Sequence, residues 1–277
     1  MRCGTCSVAS RAPSASKHGR TVAEPSRATL VGSCDTSPPK PYRPDPVTAE
    51  ADRIDALLAY AVVYKDWQDR TFSPPGARGY NIAGVLVDPD NRVVCWARNN
   101  VIRNVNGTQH GEVRLITNYL HNDEKRRNLR GFKLYTTLEP CAMCSGMMTL
   151  QSLPTSIYGQ TDPGFGGALE RLQLNSRRLP NGWCPYPRGV QSVASDLDVR
   201  RRLDQAFADW SGGASLTAFL ASEEARALYA EAWDQLHHFQ PAHAANKEVL
   251  AAALAFLEGV PETAVVLPYT VNCTGGE

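Results

Sequence analysis

The chain has 277 residues, 43% of them hydrophobic and 21% charged, and a net charge of +1, the composition of a soluble protein with one sizeable domain and extensions or with two small domains. A near-neutral total removes any global electrostatic case for nucleic acid or an anionic membrane as partner, while leaving room for a local basic groove. No uninterrupted apolar run of about 18 residues is present, so neither a spanning helix nor a membrane partner is expected.

Residues 1–48 are rich in Ser, Pro, Thr and Arg and end in Pro38-Pro39-Lys40-Pro41 and Pro44-Asp45-Pro46. Such a segment buries too little apolar surface to offset its ordering entropy and is predicted to be a disordered tail. Its start lacks the apolar core of a secretory signal and is basic and free of acids until Glu24. Transit peptides share that composition, but a plain disordered extension is the simpler reading. The folded part is expected from near Thr48. Ile54, Leu57, Leu58, Ala61, Val62 and Tyr64 recur at helical spacing within 52–69, an amphipathic helix with one core face. Pro74-Pro75-Gly76 breaks the chain. Apolar runs at 82–87 and 93–97 flank Asp88-Pro89-Asp90-Asn91 and predict a β-hairpin. A polar stretch, 99–109, leads to His110 and a helix through Val113, Leu115, Ile116 and Leu120. Strand 133–137 precedes a helix over 141–150 opened by Pro140, and Ser156-Ile157-Tyr158-Gly159 is the next strand. A glycine-rich loop (162–167), an irregular basic and aromatic segment (173–188) and a fifth strand (190–193) follow, then helices over 198–210, 216–239 and 247–257. Strands alternating with helices predict an α/β fold, a three-layer α/β/α sandwich with a mixed five-stranded sheet plus added C-terminal helices. The expected organisation is a tail (1–48), a core domain (49–212) and a helical extension packed on that core (213–277).

Eight cysteines are present, and in an intracellular protein they suggest metal or catalysis before disulfides. Cys3-Gly4-Thr5-Cys6 has metal-like spacing but no second ligand pair nearby. Cys141 and Cys144 stand one helical turn apart at a predicted helix start, so both sulfurs can face one point, and the positive end of the helix dipole favours thiolate. With His110 they make the three-ligand set of a catalytic Zn2+ site, which keeps one position for water. Zinc lowers the pKa of that water to about 7, making a hydroxide able to attack C4 of cytosine or C6 of adenine. One carboxylate must then take the water's proton and deliver it to the ring nitrogen and the leaving amine. Glu112, two residues from His110, is placed for this. His110-Gly111-Glu112 followed by Pro140-Cys141-Ala142-Met143-Cys144 fits the H-x-E…P-C-x-x-C pattern of zinc nucleobase deaminases. The alternatives are a solvated helix start with core cysteines, or a pseudoenzyme that keeps zinc for stability.

At these residues the chain resembles the cytidine deaminase-like superfamily, nearest the branch of tRNA adenosine deaminases, guanine deaminases and yeast-type cytosine deaminases. Thr137-Leu138-Glu139-Pro140-Cys141-Ala142-Met143-Cys144-Ser145-Gly146, then Ile157-Tyr158-Gly159 with Asp162 and Gly164, carry the likeness, which spans roughly residues 50–200. The resemblance implies that Asn99 hydrogen-bonds the substrate base or sugar; its other reading is a turn residue. It also implies that members of this fold assemble, so homo-oligomer contacts are expected of the long helices. Gly111 stands where the branch usually has alanine, which loosens the helix start without touching the chemistry. The longer 175–189 loop and the helices after Asp198 depart from a compact tRNA adenosine deaminase and place the chain nearer bacterial nucleic-acid-modifying or toxin-type deaminases.

Arg171, Arg177, Arg178, Trp183, Tyr186 and Arg188 interleave basic and aromatic groups after the fourth strand, with Phe165 just before them. Bases stack and phosphates pair with arginine on such a surface, so Phe165, Arg177, Arg178 and Trp183 are candidate substrate contacts; an ordinary loop anchored by Trp183 is the alternative. Lys125-Arg126-Arg127 and Arg200-Arg201-Arg202 read as solvated helix ends, and His237 and His238 as capping residues. The expected function is zinc-dependent deamination of cytosine or adenine within single-stranded DNA or RNA, in the cytoplasm. A deaminase of a free base, nucleoside or nucleotide and a zinc-stabilised binding protein without turnover are the competing readings.

Overall fold

The computed structural model describes residues 40–69, 77–123, 127–172, 175–176, 178–182, 189–213 and 215–262. Cys3, Cys6 and most of the expected tail lie outside the described residues. Helix α1 (Pro46–Tyr64) opens with Asp45 accepting from the amides of Val47 and Thr48, and with Pro46 in the first turn, where a missing N–H costs nothing. Ahead of it Tyr42 already bonds Asp52 through its hydroxyl and Gln191 through its amide.

Strands β1 (Ala83–Val87) and β2 (Val93–Arg98) form the expected hairpin. Helix α2 (Gly111–Asn122), β3 (Lys133–Thr136), α3 (Ala142–Leu150), β4 (Thr155–Tyr158), α4 (Ala168–Leu172), β5 (Gln191–Ala194) and α5 (Asp198–Asp209) follow. The sheet runs β2-β1-β3-β4-β5; β1 is antiparallel to β2 and β3, while β3, β4 and β5 are parallel. Val85, Val87, Tyr135 and Ile157 face α1 and the C-terminal helices in one hydrophobic cluster. Leu86, Leu134, Cys95 and Ala97 face α2 and α3 in a second cluster with Leu115, Ile116 and Met148. Both faces are covered, which is why β1 reads as an unbroken apolar run rather than an alternating one. The result is a three-layer α/β/α sandwich on a mixed five-stranded sheet.

The expected single helix over 216–239 is two: α6 (Leu216–Phe219) and α7 (Glu223–His237). Leu220 closes the first, and Ser222 caps the second by accepting from Ala225 N, with Glu223 and Glu224 at the positive helix start. His237 and His238 face the carbonyls of Trp233 and Asp234, the expected C-terminal capping. Helix α8 (Asn246–Glu258) completes the chain's described part. α7 and α8 pack on α1, so α1 is buried nearly all round, and its polar residues Glu50, Asp52 and Asp55 are buried too. Each fully buried Leu, Ile or Val there contributes roughly 1.5–3 kcal/mol of transfer free energy. Arg200, Arg201 and Arg202 pair with Asp204, Asp198 and Glu231 at the surface.

Candidate active site

The starts of α2 and α3 meet at the C-terminal end of β3. His110 is the residue before α2; its backbone is extended and its side chain makes no capping bond, so the imidazole is left for other partners. Cys141 holds the same position before α3, and Ser145 N donates to Cys141 O, which closes a first turn with Cys144 beneath Cys141. His110 Nδ1 lies 3.7 Å from Cys141 Sγ and 3.6 Å from Cys144 Sγ, and the two sulfurs are 3.6 Å apart. A tetrahedral ion with bonds of about 2.3 Å to sulfur and about 2.0 Å to nitrogen sets its donors about 3.5–3.8 Å apart. The three atoms therefore fit zinc in both chemistry and spacing, and they are the one such cluster among the described residues.

The electrostatics favour metal binding. The bond to Cys144 pulls the Cys141 thiol down to about 4 against the opposing effect of burial, with His110 adding to it. Cys144 goes the other way, because it shares the proton with Cys141, is buried and faces Glu112. Two sulfurs and an imidazole holding a shared proton in this space are the set a divalent ion displaces it from. His110 is raised by its contact with Cys141, against burial.

Glu112 is in the first turn of α2 and is 3% exposed. Thr136 Oγ1 donates to its Oε1 at 3.3 Å, whereas Oε2 is buried without a hydrogen-bond partner. Burial pushes the carboxyl up. A buried carboxyl with one oxygen unspent and a raised pKa is built to carry a proton rather than a fixed charge.

Gly111 has a different role from the loosening expected of it. A Cβ there would lie 3.0 Å from Ala97 O and 3.4 Å from Ala83 Cα, so α2 starts pressed against the backbones of β1 and β2. The glycine permits a close approach.

Asn99 follows β2 and is 1% exposed. Its Oδ1 accepts from the amides of Tyr80 and Val101 at 3.2 and 3.3 Å, the turn role, while its Nδ2 is buried without a partner. The loop from Asn99 to His110 closes on itself through Asn100 N to Gln109 O, and Arg114 donates to Gln109 Oε1. Phe165 is 70% exposed. Arg178 lies exposed in a turn beyond α4. Arg177 and Trp183 lie outside the described residues.

Two contributors were not expected. Glu139, beside Pro140, accepts from Asp162 N at 3.1 Å and Gly167 N at 2.8 Å, and so ties the loop bearing Phe165 to the segment bearing Cys141. A Cβ on Gly166 would collide with that carboxylate. The glycines on either side of Phe165 were the available signal. Thr136, which orients Glu112, carried none: a threonine ending a strand is ordinary.

The family model for the cytidine and deoxycytidylate deaminase zinc-binding region matches residues 73–160. That span contains Asn99, His110, Glu112, Cys141 and Cys144 and stops before Phe165. The tRNA-specific adenosine deaminase of Rickettsia felis is 31% identical over 127 residues, which are 46% of this chain and 85% of that protein. The tRNA-specific adenosine deaminase 2 of Xenopus tropicalis is 35% identical over 103 residues, 35% of this chain and 61% of that protein. The chain thus spans about 60% of the length of the two Xenopus relatives. Among solved structures, one from work on A-to-I editing by tRNA:A34 deaminases is 28% identical, with TM-score 0.32, covering 41% of this chain and 83% of that one. The guanine deaminase of Bacillus subtilis is 22% identical, with TM-score 0.32, covering 45% of this chain and 73% of that one.

Proposed function

We infer that this chain, which belongs to the cytidine and deoxycytidylate deaminase zinc-binding family, is a hydrolytic deaminase acting on cytosine or adenine within single-stranded nucleic acid. The observation that carries the reaction is the meeting of His110 Nδ1, Cys141 Sγ and Cys144 Sγ beside a buried Glu112 with one free oxygen. His110, Cys141 and Cys144 would hold zinc, which when bound lowers the pKa of water from about 15.7 to about 7 and so supplies the nucleophile at neutral pH.

Glu112 Oε2 takes the proton from the attacking water, passes it to the ring nitrogen, and then carries the second proton to the amine, which leaves as ammonia while the base gains its carbonyl oxygen. Thr136 steadies Oε1 so that Oε2 does the carrying. Asn99 Nδ2, the unspent donor, meets an acceptor atom of the substrate. Phe165 offers an exposed aromatic face on which a neighbouring unpaired base stacks, and the exposed Arg178 is available to pair with a phosphate of the strand. Relatives named tRNA-specific adenosine deaminases support a nucleic-acid substrate. In this reading residues 49–212 form the deaminase domain and 213–277 a helical extension available for homo-oligomer contacts. Among the described residues no helix is long and apolar enough to cross a membrane. A cytoplasmic location belongs to the same reading, because the ligand thiols must stay reduced.

The test is sequencing of mixed single-stranded DNA and RNA oligonucleotides after exposure to zinc-loaded wild-type and Glu112→Gln protein. Conversion by the wild type, reduced by about 10²–10⁴ in the variant, is expected. No conversion on any oligonucleotide, with ammonia released from free bases or nucleosides, would replace the substrate assignment. Inertness toward both would leave a non-catalytic zinc protein.

A further inference from the structure

A chain of polar groups, buried except for the half-buried Gln68, runs from the C-terminal helices to Asn99, and the proposed chemistry uses none of it before its last member. Its centre is Arg78, 1% exposed. The guanidinium donates from Nε to Asp66 Oδ2 at 2.9 Å and from Nη2 to Asp66 O at 3.2 Å. Nη1 donates to Asn99 O at 2.7 Å and to Tyr80 O at 3.1 Å. Asn99 N donates to Ile82 O. With its backbone held on both sides, Asn99 spends its amide oxygen on Tyr80 N and Val101 N. Only the amide nitrogen is left. A Cβ on the neighbouring Gly79 would collide with Asn99 Oδ1, so the seat requires that glycine.

The chain continues away from the site. Arg78 N donates to Gln68 Oε1, and Gln68 N to Asn81 Oδ1. Asn81 Nδ2 donates to Gln68 O and, at 2.9 Å, to Leu220 O at the end of α6. Tyr229 of α7 donates from its hydroxyl to Asn81 O at 3.3 Å. Asn81 is wholly buried. Residues 216–258 lie outside the matched family region, which ends at 160, yet they supply the far end of this chain.

We propose that Arg78 is a positioning residue: it fixes Asn99 with its amide nitrogen, rather than its oxygen, as the group offered to substrate, and helices α6 and α7 hold that setting through Asn81. The proposal rests on the deaminase reading above for the word substrate, but not for the geometry. Arginine suits the task because its planar fork reaches a carboxylate and three carbonyls at once; the single ammonium of lysine does not. Since Asn99 presents a donor, the substrate atom it meets is an acceptor, a ring nitrogen, a carbonyl oxygen or a sugar oxygen, and the amine that leaves is held elsewhere.

The test compares zinc-loaded wild type, Arg78→Lys and Tyr229→Phe for zinc content, kcat and KM on a converted oligonucleotide, and amide exchange across 99–104. Lysine keeps a cation beside Asp66, which also has Arg98 3.7 Å away, and Tyr229→Phe removes a single hydroxyl. Arg78→Lys is expected to retain zinc and raise KM roughly tenfold, as for one lost charge-assisted hydrogen bond, with kcat changed far less. Tyr229→Phe is expected to speed exchange at Asn99 and Val101 while the sheet amides stay protected. A zinc-replete Arg78→Lys protein with unchanged KM, or with a fall in kcat alone, overturns the proposal. If Arg78→Lys does not fold, unchanged exchange in Tyr229→Phe overturns it. If the wild type deaminates nothing, the deaminase reading fails, and the exchange at 99–101 still decides whether Arg78 and α7 set Asn99.

Discussion

Replacing Glu139 by glutamine should loosen the Phe165 loop and leave zinc in place. In the wild type one carboxylate accepts from Asp162 N and Gly167 N at the two ends of the glycine loop. Hydrogen bonds to an ionised acceptor contribute about 1.5–3 kcal/mol each when buried, and Glu139 is only half-buried, so about 1–2 kcal/mol each applies here. Glutamine keeps one acceptor oxygen but turns an amide N–H2 toward the other backbone N–H, setting two donors face to face. The net cost is about 2 kcal/mol, which raises the population of the open loop roughly 30-fold. The opening is local, because Glu139 N still donates to Gln160 O at 2.8 Å and holds the segment leading to Cys141. Hydrogen exchange resolved to single amides is the assay: exchange at Asp162 and Gly167 should accelerate about 30-fold, with the amides of β3 and the zinc content unchanged. KM for an oligonucleotide should rise, since Phe165 no longer has a fixed position. Unchanged protection at both amides would refute the clamp. Loss of zinc in parallel with loss of protection would show that Glu139 supports the ligands instead.

Removal of zinc by a chelator should lower the melting temperature and its return should restore it, because the ion binds only the folded arrangement of His110, Cys141 and Cys144; at zinc 1,000-fold above its Kd the stabilisation is about 4 kcal/mol. A melting temperature indifferent to zinc would argue against the site. Gly111→Ala should destabilise the protein by about 1–2 kcal/mol and weaken zinc binding, since the new methyl sits 3.0 Å from Ala97 O and both neighbours are backbone; calorimetry and zinc titration check this, and a more stable variant would refute the close-packing argument. Asp55 is wholly buried, and burial, with Asp52 adding and Lys133 partly opposing, pushes its carboxyl up to about 8. The folded state therefore keeps a proton that the unfolded chain releases near pH 4, so stability falls as pH rises from about 4 to about 8, by up to about 4 kcal/mol at pH 7. Urea unfolding at intervals across that window should show the slope, and Asp55→Asn should flatten it; an identical slope in the variant would exclude Asp55 as its source.

The candidate site was legible in the sequence because metal and acid–base chemistry demand particular residue types at short spacings. Only a few residue types bind zinc or carry protons, His110, Glu112, Cys141 and Cys144 are among them, and the turn of helix that brings Cys141 and Cys144 together is local. The hairpin and the strand–helix alternation were legible for the same reason, since periodicity is read within a few residues. What the sequence concealed depends on contacts across long separations. The break at Ser222 was masked by an apolar pattern continuing through both helices. The burial of α1 nearly all round follows from α7 and α8 covering a face that the pattern assigned to solvent, whereas Asp52 lies against Lys133 and Tyr135 of β3. Nothing local in the sequence ties Glu139 to the loop at 162–167, or Arg78 to Asp66 and the Asn99 carbonyl; both sets of bonds exist only in the folded chain. The sequence by itself determined which groups make up the candidate site. The tertiary structure decided which way Asn99 presents its amide and which segments hold the site, because hydrogen-bond direction and close approach exist only once residues far apart in the chain are packed together.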